Sequence, residues 1–250
     1  MLQEGLAVLR AGDRDIEVAL GHRLDEVVSL LERYMDEIEL FNPAYGLVGA
    51  RTREELVLRH ILDSLAPLGH IIRLLKNASP SPTIADVGSG AGLPGIPLSI
   101  ALPDTPVTLI ERMGRRVGFL RNTQAILGLP KLTVEEGEME RAPAGRFDLL
   151  VFRAFRPLVT QKSLLAEPPQ PGSATGKRQA PPVFKGLLRL LAKGGVLAAC
   201  KGRRAAIAEE MAALEKALGG GPGSLAWEAL PCPTPFLDEE RHLVLLRKNN

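Results

Sequence analysis

Between Leu24 and Ile38 the apolar residues recur at three- and four-residue steps: Leu24, Val27, Val28, Leu31, Tyr34, Met35 and Ile38. That spacing lines one face of a helix, predicted over 22–41. A short loop is expected around Asn42-Pro43 and Gly46. A second helix is predicted from Thr52 into the 70s, because Thr52 followed by Glu55 has the form of a capping box. Ser79-Pro80-Ser81-Pro82 breaks it. Beyond this point the pattern alternates. Strands are predicted over 83–87, 107–110, 132–135, 147–152 and 196–200, with helices over 94–102, 114–127, 183–192 and 205–218. The glycines at 128 and 194–195 act as stops. Two closing strands, over 225–230 and 242–247, have no clear helix between them. Such alternation predicts an α/β fold, a mostly parallel sheet with helices on both faces, preceded by an N-terminal helical cap. One unit spanning 1–250 is expected, with the cap over 1–78 and the core over 79–250. The Pro/Gly/Ser-rich stretch at 160–182 has no periodicity and is expected to be a flexible insertion.

At 250 residues and 45% hydrophobic content, the chain can bury a full α/β core. No apolar run approaches the ~18 residues of a membrane span. Glu4, Arg10, Asp13, Arg14 and Asp15 interrupt the N-terminus, so it lacks the apolar centre of a signal peptide, and a cytoplasmic protein is expected. Cys200 and Cys232 are too few for a disulfide framework and lack metal-ligand spacing; both are expected to be buried thiols or bystanders, with no metal bound. A net charge of +2 permits nucleic-acid binding without arguing for it, so local clusters of charge must decide.

The chemistry concentrates where the first core strand ends. Asp86-Val87-Gly88-Ser89-Gly90-Ala91-Gly92-Leu93-Pro94-Gly95 joins that strand to its helix. Glycines there let the chain turn tightly and let a ligand approach with no Cβ in the way. Gly90-x-Gly92-x-x-Gly95 fits a dinucleotide fingerprint, and Glu111, about 20 residues on, is placed to bind ribose hydroxyls. Both nicotinamide dinucleotides and S-adenosylmethionine carry a ribose. Three features favour S-adenosylmethionine: Asp86 beside the position of a cationic donor, the tighter Gly88-x-Gly90-x-Gly92 spacing, and no evident hydride-transfer set. The closing pair of strands is also more typical of methyltransferases than of dehydrogenases.

Longer strings sharpen this reading. Arg59-His60-Ile61-Leu62-Asp63-Ser64-Leu65 is followed by the glycine turn through Gly95-Ile96-Pro97-Leu98 and then by Gly114-Arg115-Arg116-Val117-Gly118-Phe119-Leu120-Arg121. Phe152-Arg153-Ala154-Phe155, Cys200-Lys201-Gly202 and Glu240-Arg241-His242-Leu243-Val244 complete the series. In this order, over roughly 24–248, the chain resembles the RsmG (GidB) family, bacterial methyltransferases acting on N7 of a guanine in 16S rRNA. The resemblance implies a Rossmann-like class-I methyltransferase using S-adenosylmethionine. It places Gly88 and Leu93 in the donor's turn, Met139 and Glu140 against adenine, and Arg153 at the family's arginine after the fourth core strand, a candidate catalytic residue. Tyr45-Gly46-Leu47-Val48 departs from the family's usual Tyr-Asn-Leu-Thr, and Glu138 stands where relatives often have Arg. The 160–182 stretch also looks longer than in relatives.

The residues fit the chemistry so implied. N7 of guanine has an exposed lone pair and no proton to lose, so its methylation needs positioning and charge stabilisation rather than a nucleophile. No cysteine sits where a cytosine-C5 enzyme places its thiolate, and no Asn/Asp-Pro-Pro-aromatic set follows the fourth core strand, where Phe152-Arg153-Ala154-Phe155 stands. Arg153 has a plainer alternative, pairing with a core carboxylate. His60 and Asp63, three apart on a helical face, are either a surface pair or a scaffold beneath the site. For RNA, Arg112, Arg115, Arg116 and Arg121 form one cluster, Lys201, Arg203 and Arg204 a second, and Arg241 with His242 a third. Converging at the donor edge they would bind phosphates, and Phe155 would stack on the target base. The expected partner is 16S rRNA or the small ribosomal subunit, with the chain a monomer. A nicotinamide-dependent oxidoreductase and a catalytically silent RNA-binding relative are the competing readings.

Overall fold

The computed structural model describes residues 1–153, Leu158, 181–221 and 223–247. The predicted insertion therefore lies almost wholly outside the described residues, and so does Phe155. Helices precede the sheet: α1 (Leu2–Gly12), α2 (Arg14–Leu20), α3 (Leu24–Tyr45), α4 (Arg53–Leu56), a π-helical segment (Val57–Leu62), α5 (Asp63–Leu65) and α6 (Leu68–Lys76). The core follows as β1 (Ile84–Val87), α7 (Gly95–Ala101), β2 (Val107–Glu111), α8 (Gly114–Leu127), β3 (Leu132–Glu136), β4 (Phe147–Arg153), α9 (Pro182–Leu190), β5 (Leu191–Lys201), α10 (Arg204–Ala217), β6 (Trp227–Pro231) and β7 (His242–Arg247). No helix among the described residues is long and apolar enough to cross a membrane.

The seven strands run in the order β3-β2-β1-β4-β5-β7-β6. The first five are parallel, while β7 pairs antiparallel with both β5 and β6. Strand order reverses between β1 and β4, and in such sheets ligands bind outside the carboxyl ends at that switch point. Burial follows the sheet's two faces. Ile84 packs under the N-terminal helices and α7, whereas Ala85 and Val87 pack under α9 and α10. This is the expected alternation of side chains along a strand.

Several local expectations shift for physical reasons. Helix α3 runs on through Asn42-Pro43 and stops at Gly46, whose left-handed φ of 58° and N–H bond to the Asn42 carbonyl close it. Proline in the last turn removes little helix, so the cap and not the proline ends it. The Asn42 side chain then pins the exit by exchanging hydrogen bonds with the Val48 main chain. Gly46 thus fills a left-handed position that Asn also tolerates, and the departure from Tyr-Asn-Leu-Thr is conservative in backbone terms. Thr52 caps α4 as predicted, accepting from the Glu55 N–H. Helix α9 ends at Leu190 rather than near 192, and the chain enters β5 at once. Gly194, with φ 75°, sits where the β4–β5 register jumps from Phe147↔Leu191 to Leu149↔Val196. Those glycines make a bulge in a strand, not a helix stop. Helices α1 and α2 had no counterpart in the predicted elements, although Leu2, Leu6, Leu9, Ile16 and Leu20 carry a helical spacing and are all buried.

Candidate active site

The turn after β1 holds its shape through its own main chain. Gly88, Gly90 and Gly92 have φ of 70°, 59° and 93°, a region where side chains are strained. A Cβ on Gly92 would run into Ile96 and Leu120, and one on Gly95 would lie 2.8 Å from Asp86 Oδ2. Most of its N–H groups are already used. Gly88 and Ser89 donate to the Ile110 carbonyl, Gly92 and Leu93 to the Ser89 carbonyl, and Ile96 to the Gly92 carbonyl. Gly90 donates to Glu111 Oε2 and Gly95 to Asp86 Oδ2, both at 2.9 Å.

Two carboxylates therefore brace the turn. Glu111, buried at the end of β2, also accepts the Arg112 and Met113 N–H groups at 2.9 Å. With three of its roughly four acceptor directions filled, about one is left for a ligand hydroxyl. Asp86 is fully buried, and its Oδ1 has no hydrogen-bond partner. Burial pushes its carboxyl up to about 7, against the partial opposition of the Gly95 N–H and the Arg153 charge. Such an unsatisfied buried acceptor is costly and suits a site that receives a cation.

Beside the turn opens a cleft of about 710 Å³, including its solvent-facing mouth. Gly88, Ile110, Glu111, Arg116, Met139 and Glu140 are among the residues that line it. Four residues proposed from the sequence for the donor, Gly88, Glu111, Met139 and Glu140, meet here. Asp86, Gly90, Gly92 and Leu93 lie in the turn that shapes its edge. Glu138 faces the cleft and is 3.5 Å from Arg112. Arg116 lines the cleft and its Nε is buried without a partner, while Arg115 beside it is exposed.

A second cluster lies past β4. Arg153 donates from Nη1 to Asp63 Oδ2 and to the Arg59 carbonyl, each at 2.8 Å, and from Nη2 to His60 Nδ1 at 2.9 Å. Asp63 Oδ1 accepts from Arg241 Nε at 2.7 Å and from the Thr234 hydroxyl at 3.3 Å. Glu239 bridges Arg241 and Arg59 at 2.9 and 2.7 Å. The plainer alternative for Arg153, a core carboxylate, is thus what its side chain contacts, and Asp63 is the hub. Partial burial, with the Arg153 guanidinium beside it, holds His60 down at about 4, so it is neutral, as accepting that bond requires. Its placement within a π-helical segment fits the frequent use of such segments at functional sites.

Most of the remaining sequence-proposed cations have partners within the protein. His242 does not stand on a rim: it is buried, and its Nδ1 lies 2.8 Å from the Gly202 carbonyl, because it pairs with Lys201 inside the sheet. Lys201 is itself paired with Glu210 at 2.9 Å and lies 5.8 Å from the Phe152 ring centroid. Arg241 is committed to Asp63 and Glu239. Arg112 and Arg121 face Glu138 and Glu136. Arg203 and Arg115 are exposed.

Three contributors escaped sequence reasoning. Tyr34, completely buried on α3, donates its hydroxyl to the Ala91 carbonyl at 2.8 Å and so bolts the cap to the glycine turn. Burial holds its phenol well above the ordinary range. Arg189 on α9 reaches the loop after β3, and Thr234 joins the Asp63 hub. Tyr34 carried a signal as a polar-tipped residue in an apolar stripe. The other two have no local pattern that marks them.

A reversed parallel sheet closed by an antiparallel β7, with an acid-braced glycine turn at the switch point, defines the Rossmann-like methyltransferase class. Solved structures agree at the level of fold. The chain superposes on a protein assigned to the S-adenosyl-L-methionine-dependent methyltransferases from Methanococcus maripaludis with TM-score 0.52 and 14% identity, covering 76% of this chain and 86% of that one. It superposes on an assigned O-methyltransferase from Klebsiella pneumoniae with TM-score 0.51 and 15% identity, covering 88% and 90%. Within that class the chain belongs to the GidB family, rRNA small subunit methyltransferase G, whose model matches residues 27–174. Ribosomal RNA small subunit methyltransferase G of Treponema pallidum is 37% identical over 222 residues, covering 87% of this chain and 84% of the relative. That of Aromatoleum aromaticum is 32% identical over 253 residues, covering 99% and 98%.

Proposed function

We propose that this chain transfers a methyl group from S-adenosylmethionine to N7 of a guanine in 16S rRNA, acting in or on the small ribosomal subunit. Family membership supports the reaction class and the RNA. The observation that carries the choice of donor is the glycine turn. A dinucleotide site presents free N–H groups and a helix N-terminus to a pyrophosphate. Here the N–H groups of Gly88, Ser89, Gly90, Gly92, Leu93, Gly95 and Ile96 are all bonded within the protein, and the Asp86 and Glu111 carboxylates stand behind them. That environment repels a dianion and favours a sulfonium cation.

Bound there, S-adenosylmethionine supplies an electrophilic methyl group. Glu111 is the residue to hold the ribose, with Met139 and Ile110 as apolar walls for adenine. Asp86 balances the donor's positive charge from beneath. Arg153, held by Asp63 and His60 at the end of β4, stands between the donor side and the β6–β7 loop and orients the two. Of the cations proposed from the sequence, Arg115, Arg116, Arg203 and Arg204 are exposed or open enough to meet RNA phosphates. No cysteine takes part: burial pushes both thiols up to about 12, so neither supplies a thiolate near neutrality. A ring nitrogen with a free lone pair needs none.

The test is transfer of labelled methyl to small subunits purified from cells lacking this activity, with the product nucleoside identified by mass spectrometry. Labelled 7-methylguanosine in 16S rRNA is the expected result. Label in another nucleoside would overturn the ring-nitrogen assignment, and donor binding without label would point to a silent relative.

A further inference from the structure

The wall of the cleft formed by Gly137–Glu140 is not held by the sheet alone. Arg189, near the end of α9, donates from Nη2 to the Met139 and Glu140 carbonyls, each at 2.9 Å, and to the Ala142 carbonyl. No carboxylate pairs with Arg189 among the described residues, so its charge is met by main-chain dipoles. The end of the same helix grips the loop twice more. The Arg189 carbonyl accepts from the Gly145 N–H, and the Leu190 carbonyl from the Arg146 N–H, both at 2.9 Å. Against this helix lies the buried Met139 side chain. A Cβ added at Gly186 would lie 3.0 Å from its Cε, so the absence of a side chain there gives Met139 its room. On the other side the loop is tied to β2 by the Gly137 N–H, which donates to the Glu111 carbonyl.

Arg189 itself does not line the cleft; Gly137, Glu138, Met139 and Glu140 do. We propose that Arg189 is a positioning residue for the methyl donor, setting the main-chain path of residues 139–142 and, with Gly186, the place of the Met139 side chain against the donor's base. All three bonds leave one nitrogen, so its two hydrogens are shared among three carbonyls, and the guanidinium charge strengthens each of them. A lysine at the same position keeps the charge on a stem of different reach and geometry. The inference rests on the reading that this cleft holds the donor.

The experiment is calorimetric titration of S-adenosylhomocysteine into the full chain and into Arg189→Ala, Arg189→Lys and Gly186→Ala, followed by steady-state methyl transfer to small subunits. Losing these charge-assisted bonds should weaken S-adenosylhomocysteine about tenfold in Arg189→Ala and raise the donor KM similarly, with kcat within about twofold. Arg189→Lys should recover part of that loss, and Gly186→Ala, which displaces Met139, should weaken the ligand while leaving Arg189 intact. A merely structural role would lower the melting temperature without this split between KM and kcat. Unchanged affinity and KM in Arg189→Ala would overturn the proposal. If that variant does not fold, wild-type affinity in both Arg189→Lys and Gly186→Ala would do the same. Failure of the unaltered chain to bind S-adenosylhomocysteine would instead remove the donor reading itself.

Discussion

On the β1–β3 side of the ligand edge, main-chain groups hold the shape: glycine N–H groups, the carbonyls of Ser89 and Ile110, and two buried carboxylates that accept from the backbone. On the β4–β7 side, side-chain charges hold it. Arg153, Asp63, Arg241, Glu239 and Arg59 come from three separate stretches of chain and meet only in the folded protein. A backbone-built site is rigid and tolerates little added bulk. A site built from ion pairs fails when one charge is removed, because its buried partners are left unmatched. The first construction suits a small cofactor bound the same way each time, the second a large substrate whose phosphates compete with protein carboxylates.

Substitutions on the two sides should therefore fail differently. The largest effect is expected from Gly92→Val, which places a branched side chain at a φ of 93° and drives it into Ile96 and Leu120. Strain and overpacking together should cost about 3 kcal/mol of stability, and S-adenosylhomocysteine binding should vanish in calorimetry. Retained binding would show that the turn is not the donor's support. Next comes Asp63→Ala, which strands Arg153 and Arg241. Their side chains are 15% and 21% exposed, so solvent offsets part of the loss and about 2 to 3 kcal/mol is expected in urea unfolding. Donor affinity should change far less than methyl transfer to small subunits. Equal losses in both would erase the distinction between the two sides.

The last difference is in pH dependence. Burial raises the Asp86 carboxyl to about 7, above its ordinary value near 3.8. Between those limits the folded state binds more protons than the unfolded state, so this group's contribution to stability falls as pH rises through the window. Asp86→Asn cannot ionise and escapes that loss. Unfolding measured from pH 5 to pH 8 should show the variant gaining on the wild type as pH rises, and parallel curves would mean that the Asp86 carboxyl is not perturbed.

The contrast also explains what was legible beforehand. The glycine turn, Asp86 and Glu111 are close in sequence and their spacing is itself the motif, so the turn and the two carboxylates that brace it could be picked out together. The succession of strands and helices along the chain followed from periodicity, since each element repeats its apolar residues locally, whereas their order in the sheet did not. Tyr34 could be placed on a helix but not against Ala91, because that bond spans 57 residues. His242 and Lys201 looked like free cations because sequence does not reveal the partner of a charge, and here Gly202 and Glu210 had already taken them. Arg189 acts on main-chain carbonyls some 50 residues away, an interaction that leaves no residue-type signature.

Calorimetric titration of the purified full chain with S-adenosylmethionine and, separately, with a nicotinamide dinucleotide tests the central claim most directly. If the acid-braced turn is a site for a cationic donor, S-adenosylmethionine binds at one site per chain and the dinucleotide gives no heat. Binding of the dinucleotide with none of S-adenosylmethionine would contradict the account.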